Sequence, residues 1–126
     1  MNTLQILTSQ AIDAGFHWRT RGGEEFLRPA NMETRHVFFT WLMIWNHSCP
    51  EELVRPEGRR YTEFDPFYTP AYMAQAFRVM FNELRSRKDL RATWKTVVDE
   101  VLASYAAWHG LDELNEVHQM ECEVSR

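Results

Sequence analysis

Four groups of residues in this 126-residue chain have types and spacings that could do chemistry. The first is Glu33-Thr34-Arg35-His36, which reads Glu-x-x-His. That spacing lets one helix offer two ligands to a carboxylate-bridged di-iron centre. Such a centre needs a second copy and two further carboxylates, and the chain holds no second Glu-x-x-His. His47 lies about 16 Å further along a helix, too far to share the ion. The pair therefore reads as a polar seam, and no metal or cofactor is expected. The second group is Cys49 beside His47. A thiol–imidazole pair needs facing geometry, which adjacency in sequence does not supply. Cys49 reads instead as a small apolar filler near a helix end. A metal- or thiol-dependent enzyme is the least favoured class.

The third group is basic: Arg85, Arg87, Lys88 and Arg91. It could meet phosphate or an acidic protein face, and it is better read as compensating the negative end of a helix dipole and aiding solubility. The fourth mixes arginine with large aromatics, in the arm holding Trp18, Arg19 and Arg21 and in the loop holding Arg59, Arg60 and Tyr61. Tryptophan, tyrosine and arginine carry a disproportionate share of protein–protein binding energy. These six are the candidate partner-binding residues.

The elements that must position these groups follow from periodicity. Glu33 to His47 is the organising stretch. On a helix, Glu33, His36, Thr40 and His47 share an arc of roughly 60°, and the rest of the circumference is apolar. Such a helix is buried, and at roughly 22 Å it is too short to cross a bilayer. The predicted plan is an all-α single domain, a bundle of four to five helices around a buried central helix at 32–47, with Asn31 as its cap. A first helix covers 1–15. An arm or small hairpin covers 16–31, with Gly22-Gly23 as its turn. A long loop at 48–69 carries Tyr61, Phe64, Phe67 and Tyr68, which should pack it down on the helices. Ser48 and Glu51 have capping-box spacing for a short helix within it. Thr69-Pro70 opens a helix at 70–87 with Met73, Ala76, Phe77, Met80, Phe81 and Leu84 on its core face. Asp89 caps a helix at 90–109 that ends at Gly110, and the short connection predicts an antiparallel hairpin. A short helix at 111–121 precedes an acidic tail.

Composition narrows the function. A charged content of 25% is ordinary for a globular chain, and 13% aromatics suits a core plus a contact surface. The net charge of −4 argues against a general nucleic-acid binder. Two cysteines, Cys49 and Cys122, make no framework, so a reduced, cytoplasmic setting is expected. The first residues lack the basic and apolar regions of a signal peptide.

The segments RPANMETRHVFFTWLMIWNH and FDPFYTPAYMAQAFRVM, about half the chain, resemble parts of short, uncharacterised accessory proteins carried by tailed phages and prophages. The resemblance implies a small protein that binds and modulates a host or phage component. The expected function is thus a non-enzymatic interaction protein with an unknown protein partner. The alternative is a nucleic-acid-associated protein using the basic residues.

Overall fold

A computed structural model describes residues 15–20 and 22–110. These fall into two compact units, one up to Leu90 and one from Arg91 onward. The expected helices at 1–15 and 111–121, and Arg21, lie outside the described residues.

The all-α expectation is corrected. The described chain holds three α-helices and a two-stranded antiparallel sheet, with about 59% helix, a small mixed α/β fold rather than a bundle of four or five helices. The strands are β1 (Trp18–Arg19) and β2 (Phe26–Leu27), in register Trp18 to Leu27 and Arg19 to Phe26. The Thr20 N–H extends the pairing to Glu25 O at 3.0 Å, and the Gly23 N–H turns back to Thr20 O at 2.8 Å. Gly23 has φ +71°, a left-handed value that glycine adopts without strain. The strands form because Phe16 and Trp18, two apart, are both buried, as period-2 alternation requires.

Helix α1 (Thr34–Ser48) is the central helix. Ten of its fifteen residues are buried, including Trp41, Leu42, Trp45 and Asn46 at 1% exposure or less. It packs on α2 (Pro70–Ser86), whose core face is Met73, Ala76, Phe77, Met80, Phe81 and Leu84 as predicted. The Trp41 ring stacks on Phe77 with centroids 5.2 Å apart and planes at 19°. Thr69 caps α2 by accepting from the Tyr72 N–H at 3.1 Å, with Pro70 in the first turn.

The predicted cap at Asn31 is displaced. Pro29–Asn31 forms a 3₁₀ turn, Met32 is extended, and the helix begins at Thr34. The cause sits at the far end of α2. Arg87 donates from Nη2 to Pro29 O at 3.0 Å and Met32 O at 2.8 Å, and from Nη1 to Thr34 Oγ1 at 3.0 Å. Its Nε pairs with Glu83 at 2.6 Å. Two carbonyls that would have run on into a helix are turned outward to the guanidinium. Thr34 in turn donates to Asp89 at 2.6 Å, so Asp89 is not a helix cap. Arg87→Ala is expected to lower the unfolding free energy by about 2–4 kcal/mol, because a mostly buried carboxylate and two carbonyls lose their donor together. Arg87→Lys should recover little, since an ammonium lacks the planar fork. Urea unfolding checks both, and a loss below about 0.5 kcal/mol for the alanine variant would contradict the clamp.

Two further boundaries move. Ser48 ends α1 and its hydroxyl donates back to Ile44 O at 2.8 Å, so no capping box forms and only a 3₁₀ turn, Glu51–Leu53, follows. In the second unit, α3 (Ala92–His109) starts after Arg91 and ends at Gly110 with φ 63°, burying Val97, Val98, Val101 and Ala106. The predicted hairpin of the 70–87 and 90–109 helices spans the boundary between the two units.

Candidate partner-binding cleft

The exposed side of α1 is the floor of an open cleft of about 740 Å³. Glu33, His36, Thr40 and Met43 line it at steps of three and four residues, with Arg35 and Phe39 beside them. Trp18 and Thr20 reach it from the arm, and Glu57, Gly58, Arg59 and Tyr61 from the loop. Three of the four residues in the predicted polar arc, and three of the six predicted partner-binding residues, thus meet in one place.

Each wall is held by buried polar groups. On the arm side, the Tyr72 hydroxyl accepts from the Arg19 N–H and donates to His17 O, both at 2.8 Å. The Tyr68 hydroxyl donates to Arg19 O at 2.7 Å and lies 2.9 Å from Thr20 O. Burial pushes the Tyr72 phenol above its ordinary value, so it stays neutral and keeps its proton to donate. Trp18, only 2% exposed, stacks on Tyr72 at 5.7 Å.

On the loop side the anchor is Asn46, fully buried. Its Oδ1 accepts from the Arg55 N–H at 2.7 Å, and its Nδ2 donates to Arg55 O at 3.0 Å and Arg59 O at 3.3 Å. Gly58 fits beneath because it lacks a Cβ: one placed there would sit 2.9 Å from Leu42 Cγ and 3.2 Å from Asn46 Nδ2. His47 Nδ1 is 2.8 Å from Tyr61 O, and since a carbonyl only accepts, the ring proton sits on Nδ1. The same ring meets Phe64 at 4.4 Å. The loop packs down on α1 here, with His47 of the helix as one of its structural anchors.

The charges differ in how they are held. Arg55 grips Glu57 through Nε at 3.0 Å and Nη2 at 2.9 Å. Burial pushes the Glu57 carboxyl up, but the Arg55 hydrogen bonds, a backbone N–H and the Arg55 charge together hold it below its usual value. The side chains of Glu33 and His36 have no hydrogen-bond or ion-pair partner among the described residues, although the Glu33 carbonyl accepts from the Val37 N–H at 3.0 Å. Arg35 lies over the Phe39 ring at 5.8 Å, and Arg59 contacts the Tyr61 hydroxyl at 3.4 Å. Neither arginine has a carboxylate partner there.

The other predicted partner residues fall elsewhere. Arg19 is pinned over Phe67 at 4.7 Å and lies 3.6 Å from Asp65. Arg60 donates to Asn46 O at 3.1 Å. In the basic group, Arg87 is the structural clamp described above, Arg85 lies over Phe81 at 5.6 Å, and Lys88 is exposed. Arg91 lies over Trp94 at 4.8 Å in the second unit. Cys49 is buried at 4% exposure, and burial raises its thiol pKa against the pull of Arg60, so it is a filler and not a thiolate nucleophile. Among the described residues no three of His, Cys, Asp and Glu are grouped to hold a metal ion, and no helix is long and apolar enough to cross a membrane.

Sequence reasoning missed Arg35, Phe39, Met43, Glu57 and Gly58 as lining residues, and Asn46, Tyr68 and Tyr72 as supports. Asn46 carried a usable signal: an amide inside the apolar run LMIWN has to find partners or stay out of the core. No protein-family model, curated protein or solved structure matches the chain.

Proposed function

We propose that this chain is a non-enzymatic interaction protein that receives part of a partner protein in the α1 cleft, in the manner of a phage-type accessory protein acting on a host or phage component in the cytoplasm. One observation carries the reading. Arg59 and Tyr61, of the residue types that dominate binding hot spots, reach from the loop over the polar side of α1, facing the arm wall that buried Trp18 closes. Both walls are held by partly buried side-chain hydrogen bonds, which lowers the ordering cost of association. The nucleic-acid reading loses support, because the Arg87 guanidinium, in the middle of its basic group, is already engaged with four protein atoms, on Glu83, Thr34, Pro29 and Met32.

The test compares the wild-type chain with His36→Trp, which plugs the cleft floor at an exposed position. Tagged protein expressed in the native host should capture a partner that the plugged variant loses, with unchanged thermal unfolding. Neither protein should bind DNA or RNA tighter than about 10 μM at physiological salt. Equal capture by both proteins would overturn the cleft as the site. Sub-micromolar nucleic-acid binding with a steep salt slope would overturn the class.

A further inference from the structure

The partner's chemistry can be argued from the charges left over in the cleft, an inference that rests on the cleft being the binding site. Four charged side chains line it: Glu33, Arg35, Glu57 and Arg59. Glu57 is already neutralised by the two-point grip of Arg55. Of the remaining three, two are guanidinium groups with no carboxylate partner, one on the helix and one on the loop. With the Glu57–Arg55 pair set aside, the cleft lining carries one more positive than negative side chain. A guanidinium is a planar fork of donors suited to carboxylate, and two of them around one opening favour an acidic group over a neutral or basic one. Beside the arginines, half-buried Phe39 and Tyr61 keep ring surface accessible in the same cleft, while Met43 and Trp18 are buried behind it.

We propose that the cleft takes an acidic segment of the partner protein, placing an Asp or Glu carboxylate at Arg35 and Arg59 and an adjacent aromatic or aliphatic side chain on Phe39.

Selection from a random peptide library displayed on beads tests this with the full chain. Peptides retained by the wild-type protein should be enriched in Asp or Glu next to an aromatic or aliphatic residue. The Arg35→Glu/Arg59→Glu double variant changes two solvent-facing side chains and should keep the wild-type thermal unfolding. It should bind the selected peptides about tenfold more weakly or worse. Selection on that variant should lose the acidic preference. His36→Trp separates the two levels of the argument. If it abolishes peptide retention while the double variant does not, the cleft binds a partner but the acidic-segment proposal is wrong. If neither variant changes retention, the cleft reading itself falls. A library pool with no acidic enrichment on the wild-type protein also overturns the proposal.

Discussion

Trp41→Ala is expected to lower the unfolding free energy by about 3–5 kcal/mol, the range for removing a large aromatic ring from a closed core. The ring is fully buried, stacks on Phe77 at 5.2 Å and lies 6.3 Å from Phe81. Those contacts join α1 to α2, the principal packing of the first unit. Neighbouring Trp45 also faces Phe77, at 6.0 Å, so the cavity left at position 41 would be walled by rigid rings that cannot collapse into it. The Trp41 indole N–H has no acceptor in the core, and a buried unpaired donor is itself costly. Trp41→Phe should therefore cost much less than the alanine change, below about 1.5 kcal/mol, since the lost area is offset by removal of that donor. Urea unfolding of both variants checks the pair. A Trp41→Ala loss below about 1 kcal/mol would show that α1 is not the core.

Asn46→Ala is expected to cost about 2–4 kcal/mol, at roughly 1 kcal/mol per hydrogen bond lost plus the penalty for leaving the Arg55 amide and two carbonyls without partners. Asn46→Asp should be as damaging. It keeps the acceptor facing the Arg55 N–H but cannot donate to Arg55 O or Arg59 O, and it buries a charge. Asn46→Leu preserves volume and should not rescue. The effect has a second readout, because these bonds hold the loop wall of the cleft. Hydrogen exchange at the Arg55 amide should accelerate in every Asn46 variant before global unfolding is approached. A stable Asn46→Ala protein with wild-type protection at Arg55 would contradict this anchor.

Periodicity carried the α1 and α2 faces because those helices bury what their apolar stripes dictate. The core residues Met73 to Leu84 and the polar arc at Glu33, His36 and Thr40 were legible for the same reason. The sequence left the 16–31 segment open between an irregular arm and a hairpin, because what fixes the hairpin is two tyrosines fifty residues away that lock it in place. What stayed hidden depends on long-range partners. Asp89 has the type and position of a helix cap, yet it is drawn to Thr34, whose hydroxyl also accepts from Arg87. Arg87 has the type and position of a dipole-compensating or phosphate-binding residue, yet the two carbonyls it ties lie at the other end of the unit's sequence. Gly58 sits in an arginine-rich loop, and only the approach of Leu42 and Asn46 gives its missing side chain a meaning.

The cleft is the central claim, and site-specific photo-crosslinking in the native host tests it most directly. A photoreactive amino acid placed at His36 or Arg59 reports what lies within a few ångströms of the cleft, and the same group at exposed Ala74 on α2 serves as the control. The cleft reading predicts one protein adduct shared by positions 36 and 59, absent at position 74, and reduced when Arg35 is reversed to Glu. Adducts that are absent at both cleft positions, or that appear equally at position 74, would contradict it.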